Sequence, residues 1–124
     1  MIQRPHRLFG YLALVGLLVS PHVLCAADGA IKIGISSSKS GSFANVGLST
    51  KNGAELAQQE ANGAGGVKIG DKTYTLEFVF VDNTSNRSSA GANALKLITQ
   101  DKVIAIVGPQ SSDRAIAVGE VANS

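Results

Sequence analysis

Three apolar runs, two of them separated from the next by a stretch with helical spacing, constrain this chain more than any other feature. Ile31-Lys32-Ile33-Gly34-Ile35 alternates apolar residues with small or polar ones, the period of a strand. Tyr74 to Val81 is rich in β-branched and aromatic residues and reads as a strand buried on both faces. Val103-Ile104-Ala105-Ile106-Val107 is apolar throughout and predicts a third, buried strand. From about Asn45 to Asn62 the pattern is helical, with Gly53, Ala54, Ala57 and Ala61 on one face. Small residues there would let the helix lie close on a sheet. Asn62-Gly63-Ala64-Gly65-Gly66 is a stop signal for it. Gly70-Asp71-Lys72 is a turn that leads into the next strand or joins a short hairpin. Asp82 to Ser89 is polar loop and cap, after which Ala90, Ala94, Leu97 and Ile98 repeat at helical spacing. Gly108-Pro109 ends the third strand, and a last helix runs from Ser111 or Ser112 to about Val121.

The order is therefore β-α-β-α-β-α. It predicts an α/β fold with a parallel sheet, right-handed crossovers and helices on both faces. Ligands of such sheets bind beyond the carboxyl ends of the strands. Two of the three strand ends carry hydroxyl-rich loops, Ser36 to Ser42 and Gln110 to Ser112.

The segment ahead of the first strand has a different character. Arg4, His6 and Arg7 precede an unbroken run of apolar residues and glycines from Leu8 to Val19, and Cys25-Ala26-Ala27 supplies a small-residue exit. This is the layout of a secretory signal peptide, and cleavage after Ala27 fits the small-residue rule. The expected organisation is a leader over 1–27 and an incomplete domain over 28–124. A lipid anchor at Cys25 is disfavoured by the bulky Leu24 before it. No apolar run reaches the ~18 residues of a membrane span.

Charge and composition then narrow the chemistry. The formal net charge of +2 is too small to imply nucleic acid as a partner. The 11 Lys+Arg and 9 Asp+Glu become equal once Arg4 and Arg7 leave with the leader. His6, His22 and Cys25 leave too, so the remainder holds neither histidine nor cysteine. Disulfides, Cys/His zinc sites and His-dependent nucleophilic or acid–base catalysis are excluded for it. No metal, no cofactor and no enzyme activity is expected.

Gly108-Pro109-Gln110-Ser111-Ser112 is the most informative loop. It joins a strand to a helix start, where free backbone N–H groups and serine hydroxyls suit a carboxylate or phosphate. A serine there also serves simply as a helix cap. Asp113 beside it disfavours a strongly charged phosphate. Ser36-x-x-Lys39 matches a Ser-Lys acyl-transfer pattern, but follows a strand rather than opening a helix. The glycines at 63, 65 and 66 follow a helix and do not form a dinucleotide loop. Asp82 ends a strand, where a ligand contact is one option and helix capping or loop hydrogen bonding is the expected role.

Taken together, the motifs resemble the start of the bacterial periplasmic branched-chain amino-acid-binding proteins, the Leu/Ile/Val-binding components of ABC importers. The likeness rests on Ile31-Lys32-Ile33-Gly34-Ile35 with Ser40-Gly41 behind it, and on Lys51-Asn52-Gly53-Ala54-Glu55-Leu56-Ala57 running to Glu60-Ala61-Asn62-Gly63-Ala64-Gly65-Gly66-Val67. Val81-Asp82-Asn83 and Ile106-Val107-Gly108-Pro109 with Ser111-Ser112 complete it. The resemblance covers residues 31 to 122.

The resemblance implies a two-lobed type 1 periplasmic-binding fold that closes on its ligand, of which this chain supplies the first part of the N-terminal lobe. It implies that the ligand's carboxylate is held at Ser112, with Ser111 and Gln110 beside it. Ser40, Phe43 and Val46, from the loop after the first strand, would border the same cleft. The residue before Gly47 is often aromatic in amino-acid binders and is Val46 here, which leaves an amide, a urea or another small carboxylate open as ligand. The implied function is capture of a small molecule in the periplasm for a membrane permease of an ABC transporter. The same fold also serves as the ligand-binding part of extracellular sensors. Three strands are few for an open parallel sheet, so the chain reads as the front of a longer protein or as a truncated product without function.

Overall fold

The computed structural model describes residues 27–124. The expected leader, apart from Ala27, lies outside them. The elements follow as β1 (Gly29–Ser37), α1 (Ala44–Gly63), β2 (Val67–Ile69), β3 (Lys72–Asp82), α2 (Arg87–Thr99), β4 (Ala105–Val107) and α3 (Ser112–Ala122). The β-α-β-α-β-α order predicted above is present, with one short strand added. β2 and β3 form the hairpin that Gly70-Asp71-Lys72 allows, Val67 pairing with Tyr74 in antiparallel register.

The sheet order is β2-β3-β1-β4. β1 pairs in parallel with β3 from Gly29↔Tyr74 to Ser37↔Asp82, and with β4 from Ile33↔Ala105 to Ile35↔Val107. From β1 the chain steps one way to β3, then crosses back over β1 to β4. Right-handed crossovers in opposite directions put α1 and α2 on opposite faces. The alternation of β1 agrees. Ser37 donates to the Gly47 carbonyl of α1 at 3.2 Å, while an added Cβ at Gly34 would lie 2.7 Å from Leu97 of α2. Odd positions of β1 therefore face α1 and even ones face α2.

The apolar core is on the α2 side. Ala90, Ala94 and Val118 are buried together, with Ile106 and Val121 against them. Alanines at the contact bring α2 and α3 close. Arg87 at the start of α2 fastens the far end of α3, donating to both Glu120 carboxylate oxygens at 3.0 and 3.1 Å. No described helix is long and apolar enough to cross a membrane.

Two expectations need correction. Gly53 and Ala57 do not face the sheet: both are exposed, and a Cβ added at Gly53 meets nothing within 4 Å. α1 docks instead through polar side chains on the outer edge of β3. The Gln58 Oε1 accepts from the Phe78 amide at 2.7 Å, and Asn62 bonds both backbone groups of Leu76. Only Ala54 and Ala61 of the small-residue stripe are half-buried, because the open edge of a strand needs hydrogen-bond partners more than apolar area. Second, β3 and β4 are not buried on both faces. Most of β3 is half-buried, and Ile104 and Val107 are 75% and 51% exposed. β3 has β2 beside it only at its start, and β4 is the last strand of the described sheet.

Candidate functional site

The carboxyl ends of the three parallel strands come together as a polar cluster. Ser36, Ser37, Ser38 and Asn83 are each at most 2% exposed. Asn83 follows β3 and is the centre of the cluster. Its Oδ1 accepts from the Ser38 hydroxyl at 2.7 Å and from the Ser85 amide at 3.1 Å, and its Nδ2 donates to Ser36 Oγ at 3.4 Å. Asp82 ties the next layer. Its carboxylate accepts from the amides of Lys39 and Thr84 and from the Ser40 hydroxyl, all at 2.8 Å. Burial pushes the Asp82 carboxyl up, but the bonds from Thr84, Ser40 and Lys39 outweigh it and hold the group below the usual carboxylate range. The loop-fastening role expected of Asp82 is the one it has.

Two close approaches fix the backbone around the cluster. A Cβ at Gly47 would lie 1.8 Å from the Ser38 carbonyl oxygen, so α1 touches the end of β1 directly. Gly108 has φ +88°, and a Cβ there would lie 2.4 Å from the Ser36 carbonyl oxygen. Only glycine fits at either point. The Gly108-Pro109 peptide that follows is cis.

From that point the chain enters α3. Gln110 Nε2 donates to Ser37 Oγ and to Thr50 Oγ1, both at 2.9 Å, and so bridges β1 and α1. Its buried Oε1 has no partner among the described residues. Ser111 stands at the N-cap with extended backbone, but its side chain makes no capping bond. The Ser111 hydroxyl instead donates to the Asp113 carboxylate and accepts from Arg114 Nε at 2.6 Å. That hydroxyl, with the Arg114 amide and charge, outweighs burial and holds the Asp113 carboxyl below its ordinary range. Ser112 opens α3 and is exposed.

Arg114 joins this loop to the one after β1. It is 1% exposed, and its guanidinium carbon sits 4.5 Å from the centre of the Phe43 ring. Phe43 is in turn held by its amide, which donates to Ser85 Oγ at 3.1 Å, and the Ser85 hydroxyl donates to the Ser40 carbonyl at 3.0 Å.

Of the residues expected at the site, Phe43 and Ser111 are joined through Arg114. Ser40 belongs with them through Asp82 and Ser85. Gln110 stands on the α1 side of the same strand ends. Val46 is 48% exposed on the first turn of α1, and only its carbonyl is linked to the site, accepting at 3.0 Å from the Thr50 hydroxyl to which Gln110 donates. The Ser36-x-x-Lys39 pattern does not form a catalytic pair: Ser36 is buried against Asn83, and Lys39 is exposed. Among the described residues no group of three His, Cys, Asp or Glu side chains could hold a metal ion. A hollow lies elsewhere, beside the outer edge of β4, between Ile98, Ile104, Ile106 and Val118. It is apolar and is the uncovered flank of the core.

Sequence reasoning missed Arg114 altogether, and it met Asn83 and Ser36 only inside short motifs, not as parts of a buried polar cluster. Arg114 carried a signal. Arg114, Ala117, Val118 and Val121 are spaced as one helical stripe, which puts the charge on the buried face.

A family profile described as "periplasmic binding protein" matches residues 30–124. The Leu/Ile/Val-binding protein homolog 8 of Brucella abortus is 38% identical over 109 residues, covering 88% of this chain and 26% of the relative. The chain thus spans about a quarter of the length of that relative. Among solved structures, the branched-chain amino acid transporter substrate-binding protein LivJ of Streptococcus pneumoniae, in complex with isoleucine, is 38% identical with a TM-score of 0.70, over 76% of this chain and 26% of that one. A solute-binding protein of an ABC transporter from R. palustris, in complex with benzoate, is 33% identical with a TM-score of 0.62, over 76% of this chain and 24% of that one.

Proposed function

The chain belongs to the periplasmic binding protein family, and on that footing we propose that it is the front of the N-terminal lobe of an exported substrate-binding protein of an ABC importer. The lobe would span 28–124 behind a leader over 1–27. Its ligand is a branched-chain amino acid or a related small carboxylate. One observation carries the reading: the loops after β1 and β4 meet at the carboxyl ends of the parallel strands, where α3 begins at Ser111 and Ser112.

The chemistry is capture rather than turnover. The first amides of α3 point out of the helix, and the positive end of its dipole favours a carboxylate there. Asp113 supplies negative charge at the same end, which weakens the site for a dianion more than for a carboxylate. A second lobe would close over the ligand, and a membrane permease would recognise the closed form. Benzoate in one relative and isoleucine in another share a carboxylate, which supports that group as the part of the ligand this lobe receives.

Two measurements test the reading. The secreted product should begin at Asp28 by intact mass and appear in the periplasmic fraction; a cytoplasmic product that retains Met1 would contradict export. Calorimetry of the chain alone with isoleucine or benzoate should give no micromolar binding, because one half-lobe cannot enclose a ligand. A micromolar dissociation constant would contradict the clamp.

A further inference from the structure

Arg114 is the buried charged side chain at the head of α3, and most of its donors are idle. A guanidinium has five N–H donors in a planar fork. Nε is used on Ser111, whereas Nη1 and Nη2 are both buried and have no hydrogen-bond partner among the described residues. An unpaired buried charge is strongly unfavourable. Asp113 does not relieve it by contact: its carboxylate is bonded to the Ser111 hydroxyl, and the residue is exposed. The Phe43 ring lies against the guanidinium, its centre 4.5 Å from the guanidinium carbon. That ring is itself 39% exposed, on a loop ahead of α1. It is a cover rather than a wall.

We infer that the Nη1/Nη2 edge of Arg114 is a carboxylate fork beneath the Phe43 ring, which moves aside when a ligand carboxylate enters. The inference rests on the reading of the α3 start as the ligand's anion site and deepens it. It selects among the ligand classes left open by Val46: carboxylates fit, and neutral amides or ureas do not. A planar carboxylate matches the fork with two parallel hydrogen bonds and neutralises the charge. An amide offers one acceptor oxygen and leaves the charge unmet. The Phe43 ring gives the site something to expel, since a quadrupole is a poorer partner for the cation than an anion is.

The test is an NMR titration of the full 124-residue chain, labelled with 15N, reading the Arg114 side-chain signals and the Ser112 and Asp113 amides. The probes are sodium benzoate, isoleucine and acetamide at millimolar concentration, with sodium chloride at matched ionic strength as control. Benzoate and isoleucine should shift Arg114 Nη and Nε together with the Phe43 ring protons, and acetamide should not. Arg114→Lys, which keeps the charge without the fork, should weaken benzoate roughly tenfold. Phe43→Leu, at a half-exposed position, should strengthen it by removing the cover. Shifts at the Ser112 and Asp113 amides with silent Arg114 signals would overturn the fork and leave the anion site standing. Equal shifts with acetamide would overturn the carboxylate selectivity. No shift at either place would overturn the anion site and the fork together.

Discussion

The Asn62 side chain pairs with the backbone of Leu76 as a neighbouring strand would: Nδ2 donates to the Leu76 carbonyl at 2.9 Å, and the Leu76 amide donates to Oδ1 at 2.7 Å. A helix side chain thus closes the edge of β3 beyond the reach of β2. Asn62→Ala should cost about 1–3 kcal/mol, because it leaves a half-buried amide and carbonyl without partners. Urea unfolding reads this directly, and an unchanged midpoint would show that water replaces the pair without cost.

Gly47 and Gly53 lie in the same helix and should respond oppositely to alanine. A Cβ at Gly47 lies 1.8 Å from the Ser38 carbonyl oxygen, a backbone atom that cannot rotate away. Gly47→Ala should therefore abolish the native fold. Gly53 is exposed and meets nothing within 4 Å, so Gly53→Ala should stabilise by about 0.4–1 kcal/mol. Circular dichroism melts of the two variants check both signs.

Asn83 is fully buried and serves the Ser38 hydroxyl and the Ser85 amide at once. Asn83→Ala should cost about 2–4 kcal/mol through two orphaned donors. It should also loosen the loop that positions Phe43, since Ser85 Oγ accepts from the Phe43 amide. Faster amide exchange at Phe43 would report that second effect, and unchanged exchange would place the loop's support elsewhere.

Asp82 gives the acid behaviour. Its folded pKa is depressed, so its contribution to stability is complete above the unfolded carboxylate value of about 3.9 and is lost as pH falls through the folded value. Asp82→Asn should be less stable than the parent at neutral pH, and the gap should narrow as pH falls below about 4. A gap that stays constant down to low pH would mean that the charge of Asp82 contributes nothing.

The order of elements was legible because each carries its own period: alternation at Ile31 to Ile35, and a four-residue recurrence at Ala90, Ala94 and Ile98. What those periods do not carry is the identity of a neighbour. An apolar run such as Val103 to Val107 has the same composition in the middle of a sheet and at its margin, and here Ile104 lies open. The contact face of α1 was misread for a related reason. Gln58 and Asn62 count as solvent-facing in any hydropathy pattern, yet they hydrogen-bond the backbone of β3. At the site, the serine-bearing helix start at Ser111 and Ser112 was visible as a motif. Arg114 was obscured because burial of a charge is a property of the packed strand ends and the Phe43 ring, which the sequence places 71 positions away.

The most direct test of solute capture is calorimetry on a graft, with residues 30–124 of this chain replacing the matched segment of the pneumococcal isoleucine-binding protein, whose fold this segment shares. The account predicts that the graft binds isoleucine or benzoate and that Ser112→Ala together with Arg114→Lys weakens the binding at least roughly tenfold. A folded graft that binds neither carboxylate, or one whose affinity is indifferent to both substitutions, would contradict it.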